Sequence, residues 1–266
     1  MNFISWIKNR KKLLSKKIII NNVNNKALWE NITIFEKVDS TNEIAKLDAK
    51  NDTKEIKVYL SEMQKSGKGR LGSSWEASKY KNIILSILLN NVNSKNIKLM
   101  PFIAGLSVYK AIQNLKLDNI KLKWPNDILL NKKKLCGILC ESVCLDNETR
   151  VAVGIGINVN QKDFRGELKE KATSLLLETG KEYKREEIIA NILNNLEKYM
   201  LIDNYNLMEE YKSNCISIGA EIDFIRENKL CRGKIIDISY EGEIIVQSKE
   251  KILKISSINR VKQYIR

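Results

Sequence analysis

The shape of the apolar runs constrains this chain most. They are short, typified by IILSILL at Ile83–Leu89, and polar turns separate them. A run of that length bounded by turns fits a buried strand, and it falls well short of the roughly 20 residues a membrane span requires. No transmembrane segment is expected. The 266 residues suffice for one large domain, or one large and one small, each burying its own core.

Reading the periodicities in order gives an alternation of strands and helices. Residues 32–38 read as a strand, and Ser40 with Glu43 three residues later forms a capping box that opens a helix running to Lys50. Residues 57–63 and 82–89 read as strands, 98–117 as a helix and 120–124 as a short strand. A hairpin over 127–139 turns at 131–133, and 150–160 is a further strand. Residues 186–211 read as one long amphipathic helical stretch. Beyond Cys215 come short alternating strands at 216–226, 230–239, 243–247 and 252–255. The boundary this suggests near Ser213 divides the chain into a basic extension (1–30), a larger domain (31–213) and a small β domain (214–266).

Composition removes whole classes of chemistry. The chain has no histidine, which excludes Ser/His and Cys/His nucleophile pairs, imidazole metal sites and histidine base catalysis together. Five cysteines with no CxxC pair, and no apolar segment ahead of the first charges, read as reduced thiols in a cytoplasm. Cys136, Cys140 and Cys144 recur every four residues on a strand pattern and read as packing. A net charge of +14 is spread over scattered lysines among many Asn and Ile, the usage of an AT-rich genome rather than of a nucleic-acid binder. Only residues 8–17 concentrate it, and they read as a solvated face.

Two segments carry the candidate chemistry. Residues 64–72 interleave Gly67, Gly69 and Gly72 with Lys68 and Arg70 directly after a strand, so backbone N–H groups and cations can approach an anion. The loop has neither the Walker nor the dinucleotide-binding spacing, and alone it is weak evidence. Lys123-Trp124-Pro125-Asn126-Asp127 gathers a cation, an amide and a carboxylate around one of only two prolines, at the start of a hairpin. Pro125 fixes a bend there, which favours a rigid polar site. Lys134 and Gly137 follow on the return strand, and Gly154 and Gly156 precede Asn158.

These motifs resemble those of the biotin protein ligases. In order they are VDSTN (38–42), QKSGKGRLGSSW (64–75), KWPNDI (123–128), KLCGILCE (134–141), VGIGINVN (153–160) and ATSL (172–175). The resemblance implies an α+β fold: a mixed-sheet catalytic domain of the biotin/lipoate ligase type followed by a small SH3-like β-barrel. It implies that ATP activates biotin as biotinyl-5′-AMP, which is passed to a lysine of a biotin carboxyl carrier domain, with Mg²⁺ assisting. Biotin would then be met by Ser40, Thr41, Asn42, Gln64, Gly67, Lys68, Gly69, Arg70, Lys134 and Gly137. ATP would be met by Arg70, Trp75, Lys123, Asn126 and Asn158, with Arg70, Lys123 and Lys134 catalytic and Asp127 a magnesium ligand.

Many relatives carry Arg where Lys68 stands, which exchanges a bidentate donor for a point charge and makes Arg70 the firmer assignment. The sequence shows no winged-helix pattern ahead of residue 31, so the resemblance is to the monofunctional type, with no specific DNA partner, no membrane and a homodimer left open. Two alternatives stand beside it. A lipoate protein ligase shares the fold and the two-step logic, and a DNA-binding regulator would use the basic amino terminus.

Overall fold

The period-2 segments sort into two sheets, one of seven strands and one of five. The computed structural model describes residues 13–51, 55–90, 92–145, 148–226, 229–249, 251–256 and 261–265. The first sheet takes β1 (Ile32–Phe35), β2 (Lys57–Ser61), β3 (Ile83–Leu89), β4 (Ile120–Lys123), β5 (Asp127–Leu130), β6 (Lys133–Cys144) and β7 (Thr149–Ile157), ordered β1-β2-β3-β7-β6-β5-β4. Only β1 and β2 run parallel; every other pairing is antiparallel. The sheet is therefore mixed, and β3, next to β7 at its centre, is buried along its whole length.

The main helices are α1 (Lys16–Asn22), α2 (Thr41–Asp48), α3 (Met100–Gln113), α4 (Arg185–Met200) and α5 (Asn204–Ser213). α3 is apolar nearly all round because it lies between the sheet and α4. Its two buried hydroxyl residues both find partners: Ser107 Oγ donates to Ile103 O and the Tyr109 hydroxyl donates to Asn214 Oδ1, each at 2.7 Å. α2 opens as the capping box requires, with Ser40 Oγ accepting from Glu43 N.

Three readings of the sequence are corrected here. Residues 13–30 are not an extension separate from the larger domain, because Leu14, Ile19, Val23 and Trp29 are buried in the core and α1 lies against α4. Leu14 N donates to Glu62 Oε1 at 2.6 Å, and Glu62 forms a buried ion pair with Arg185 at 2.6 Å. Residues 8–12 of the basic run lie outside the described residues.

The stretch 186–211 is two helices. Asp203 adopts an extended backbone and caps α5 by accepting from Asn206 N at 3.0 Å, which interrupts the helical period after Met200. Residues 216–220 do not begin a strand of the second sheet. β4 is an edge strand with free backbone groups, and residues 214–216 take them up: Leu122 N donates to Asn214 O, and Ile216 N donates to Leu122 O at 2.8 Å.

The second sheet comprises β8 (Glu221–Arg226), β9 (Lys229–Ile238), β10 (Ile244–Ser248), β11 (Lys251–Ile255) and β12 (Val261–Tyr264), ordered β11-β10-β9-β8-β12 and antiparallel throughout. β12 has no counterpart in the sequence reading. Inward residues Ile222, Phe224, Ile235, Ile238, Ile244 and Val246 join the same hydrophobic core as the first sheet.

Candidate active site

The floor of the site is glycine. Gly154 and Gly156 lie two residues apart on β7, so they share one face about 7 Å apart. On the neighbouring strand, Gly137 pairs with Gly156. A Cβ on Gly154 would fall 2.5 Å from Asn42 Oδ1, and one on Gly156 only 2.4 Å from Trp75 Cε2. The bare backbone therefore seats two side chains next to each other, Asn42 from the start of α2 and Trp75 from the end of the glycine-rich loop.

Around Asn42 stands a set of polar groups, neutral on the cavity side and backed by the Glu141 carboxylate, which Lys46 pairs at 2.7 Å. Thr41 N and Oγ1 both donate to Gln64 Oε1, at 2.8 and 3.1 Å. Ser86 Oγ lies 2.7 Å from Thr41 Oγ1 and 2.7 Å from Asn42 Oδ1. Asn42 Nδ2 donates to Leu139 O and to Glu141 Oε2. Ser86, in the middle of the apolar β3, was not singled out by the motifs. Its signal was a lone hydroxyl in a run that must be buried, since such a group needs a partner.

Beyond Trp75 the groups are charged. Lys134 Nζ sits 5.9 Å from the Trp75 ring and pairs with Asp127 at 2.7 Å. Arg70 Nη1 donates to Asn126 Oδ1 at 3.3 Å, and Asn126 Nδ2 donates to Ile138 O at 2.7 Å. Burial lowers the pKa of the Arg70 guanidinium, with Asp127 and Cys140 pulling the other way. Lys123 lines the same cavity and has no ion-pair partner among the described residues. Lys68, at the mouth, pairs with Glu43 at 2.6 Å and holds that carboxyl below its ordinary value, aided by Lys46.

The cavity, open to solvent on one side, has a volume of about 280 Å³. Of the residues proposed from sequence, Ser40, Thr41, Asn42, Gln64, Lys68, Gly69, Arg70, Trp75, Lys123, Asn126, Asp127, Lys134 and Gly137 line it. Gly67 lies behind the lining, where a Cβ would meet Trp75 O at 2.3 Å. Asn158 does not line the cavity; it is buried beyond β7, its N–H donating to Leu135 O at 3.0 Å. Val261 and Gln263 of β12 also line it. Burial pushes the Cys140 thiol up to about 12 and raises the Cys136 thiol as well, so both are neutral packing groups. Among the described residues no group of His, Cys, Asp and Glu is placed to hold a metal.

Residues 34–160 match the model of the biotin/lipoate A/B protein ligase family. The bifunctional ligase/repressor BirA of Bacillus spizizenii is 32% identical over 228 residues, spanning 83% of this chain and 70% of that protein. The chain belongs to the biotin/lipoate A/B protein ligase family. Within it, the biotin--[acetyl-CoA-carboxylase] ligase of Mycobacterium tuberculosis is 29% identical over 204 residues, covering 73% of this chain and 74% of that one. Among solved structures, the biotin protein ligase from Aquifex aeolicus in complex with biotin and ATP superposes with a TM-score of 0.75 at 29% identity, covering 89% of this chain and all of that one. The family's catalytic fold thus corresponds to the mixed seven-stranded sheet and its helices.

Proposed function

We propose that this chain is a biotin protein ligase: it joins biotin to AMP at the expense of ATP and passes the biotinyl group to a lysine of a carboxyl carrier domain. One observation carries the reading. The cavity divides at Trp75 into a neutral hydrogen-bonding half and a cationic half, which matches a ligand with a polar but uncharged ring at one end and a carboxylate at the other. The Mycobacterium relative, named a biotin--[acetyl-CoA-carboxylase] ligase, and the Aquifex structure with biotin and ATP bound support the same substrates.

In this reading the ureido ring takes the place among Ser40, Thr41, Asn42, Gln64 and Ser86, where donors and acceptors are already oriented. Lys134 meets the biotin carboxylate, and Arg70, Lys123 and Asn126 meet the α-phosphate. Two anions repel, and cations already in place lower that repulsion without reorganising as the carboxylate oxygen attacks phosphorus and pyrophosphate leaves. The acceptor amine then attacks the carbonyl of the mixed anhydride and AMP departs. No step needs an imidazole.

The donor set fits magnesium that enters with the nucleotide. Asp127 is the one carboxylate among the described lining residues, and Lys134 already engages it, so MgATP is the substrate and its phosphates hold most of the ion. We assign residues 214–266 as an SH3-like module, and no helix among the described residues is long and apolar enough to cross a membrane.

The test is incubation with biotin, MgATP and a carrier domain, followed by mass measurement of the acceptor. One biotinyl addition on one lysine is expected. If lipoate, and not biotin, drives ATP–pyrophosphate exchange, the substrate assignment fails.

A further inference from the structure

Trp124 is buried between Lys123 and Pro125, and its hydrogen bonds run to the second sheet and the segment that leads into it rather than to the sheet that carries it. Trp124 N donates to Ser217 Oγ at 2.9 Å, Ser217 Oγ donates to Gln263 Oε1 at 2.7 Å, and Gln263 Nε2 donates to Trp124 O at 2.6 Å. The indole Nε1 donates to Gly242 O at 2.9 Å. These bonds close a ring that satisfies both main-chain groups of Trp124 from outside the catalytic sheet. Gln263 meanwhile lines the cavity itself.

We propose that Gln263 and Ser217 are positioning residues for adenylation, holding the Trp124 main chain so that Lys123 and Asn126 stand correctly against the phosphate. The second sheet is then part of the catalytic apparatus. The geometry favours this over simple adhesion between the two parts. The Trp124 ring in the shared core and Gly242 against Phe102, where a Cβ would come within 2.4 Å, already supply the apolar adhesion. The hydrogen-bond ring adds something adhesion does not need: it fixes both main-chain polar groups of the residue next to Lys123, which has no ion-pair partner among the described residues. The inference rests on the assignment of Lys123 to phosphate.

The consequence is selective. Lys123 and Asn126 would shift, whereas the Thr41, Asn42, Gln64 and Ser86 group hangs on α2, β3 and the segment after β2 that bridges to Val38, and would not. Gln263→Leu keeps the bulk and removes both hydrogen bonds, so kcat/KM for ATP in biotin-dependent pyrophosphate exchange should fall by roughly ten- to a hundredfold. Biotin affinity by calorimetry should match the parent. Ser217→Ala should fall in the same direction, Ser217→Thr, which keeps the hydroxyl, should restore it, and the Gln263→Leu/Ser217→Ala pair should be no worse than Gln263→Leu alone.

Lys123→Met, run alongside, separates the two ideas. If it exchanges like the parent, the phosphate assignment is wrong. If it is impaired while Gln263→Leu and Ser217→Ala are not, the positioning role alone is overturned. Equal loss of biotin binding and exchange in Gln263→Leu, with a lowered melting temperature, assigns the ring to adhesion and also overturns it.

Discussion

Adding a single methyl at Gly154 tests whether the neutral half of the cavity is as tightly seated as it looks. The new Cβ would fall 2.5 Å from Asn42 Oδ1, 2.9 Å from its Cγ and 3.0 Å from its Nδ2. The first of these is about 1 Å inside the distance at which such atoms rest comfortably. β7 cannot retreat, because Gly154 is paired with Ser86 on one side and Leu139 on the other. Those two residues also hold Asn42, through Ser86 Oγ and Leu139 O, together with the Glu141 carboxylate.

The amide must therefore swing out and break its bonds. Overpacking costs about 1 to 3 kcal/mol, and a buried hydroxyl or carbonyl left without its partner costs about 1 to 3 more. If half of that total falls on the biotin-bound state, Gly154→Ala should weaken biotin binding by roughly ten- to a hundredfold. Titration calorimetry with biotin alone measures it. Gly156→Ala, whose Cβ meets Trp75 instead, should spare biotin binding more than adenylation. Parental biotin affinity in Gly154→Ala would refute the claim that Asn42 is fixed against the floor and contacts the ring.

The other expectations are narrower. Lys134→Met keeps the stem over Trp75 and removes the ammonium, so adenylation should fall with the fold intact, and unchanged exchange would exclude the charge assignment. Arg70→Gly removes a partly buried cation from a glycine-flanked loop; loss of a charge-assisted bond of about 1.5 to 3 kcal/mol should raise adenylate dissociation roughly 10- to 150-fold, read by biotinylation of bystander lysines. Glu62→Gln leaves the Arg185 guanidinium buried without its counter-charge and should cost about 3 to 5 kcal/mol in denaturant unfolding, so an unshifted midpoint would contradict the buried-pair reading. Glu43 is held below its ordinary value of 4.5 by Lys68 first and Lys46 second, so its contribution to stability is present above that value and is lost as pH falls through the depressed one. The parent should accordingly lose more stability than Glu43→Gln between neutral and acid pH, by a small margin because the group is largely solvated.

What the sequence disclosed follows the range of the forces involved. The Ser40–Glu43 cap, the buried β3 and the largely apolar α3 are set by neighbours within a few residues, and the structure forms each of them, with α3 ending at Gln113 short of the expected Leu117. The loops of the cavity were legible because glycines and cations at fixed spacing leave a pattern even without coordinates. The contacts that depend on chain closure left none. Nothing near Leu14 predicts that its N–H will be met by Glu62, so a basic segment read as an extension although apolar residues from Leu14 onward are committed to the core. Residues 214–216 read as the start of a small β domain, yet an edge strand 90 residues earlier offered free hydrogen bonds and took them. Gln263 is the sharpest case. One amide near the end of a short exposed strand is ordinary in sequence, and only the return of β12 to the Trp124 corner gives it two partners and a wall of the cavity. Long-range polar contacts are therefore where a motif-based reading of this chain stops, and in the proposal above they set how rigidly Lys123 and Asn126 are held.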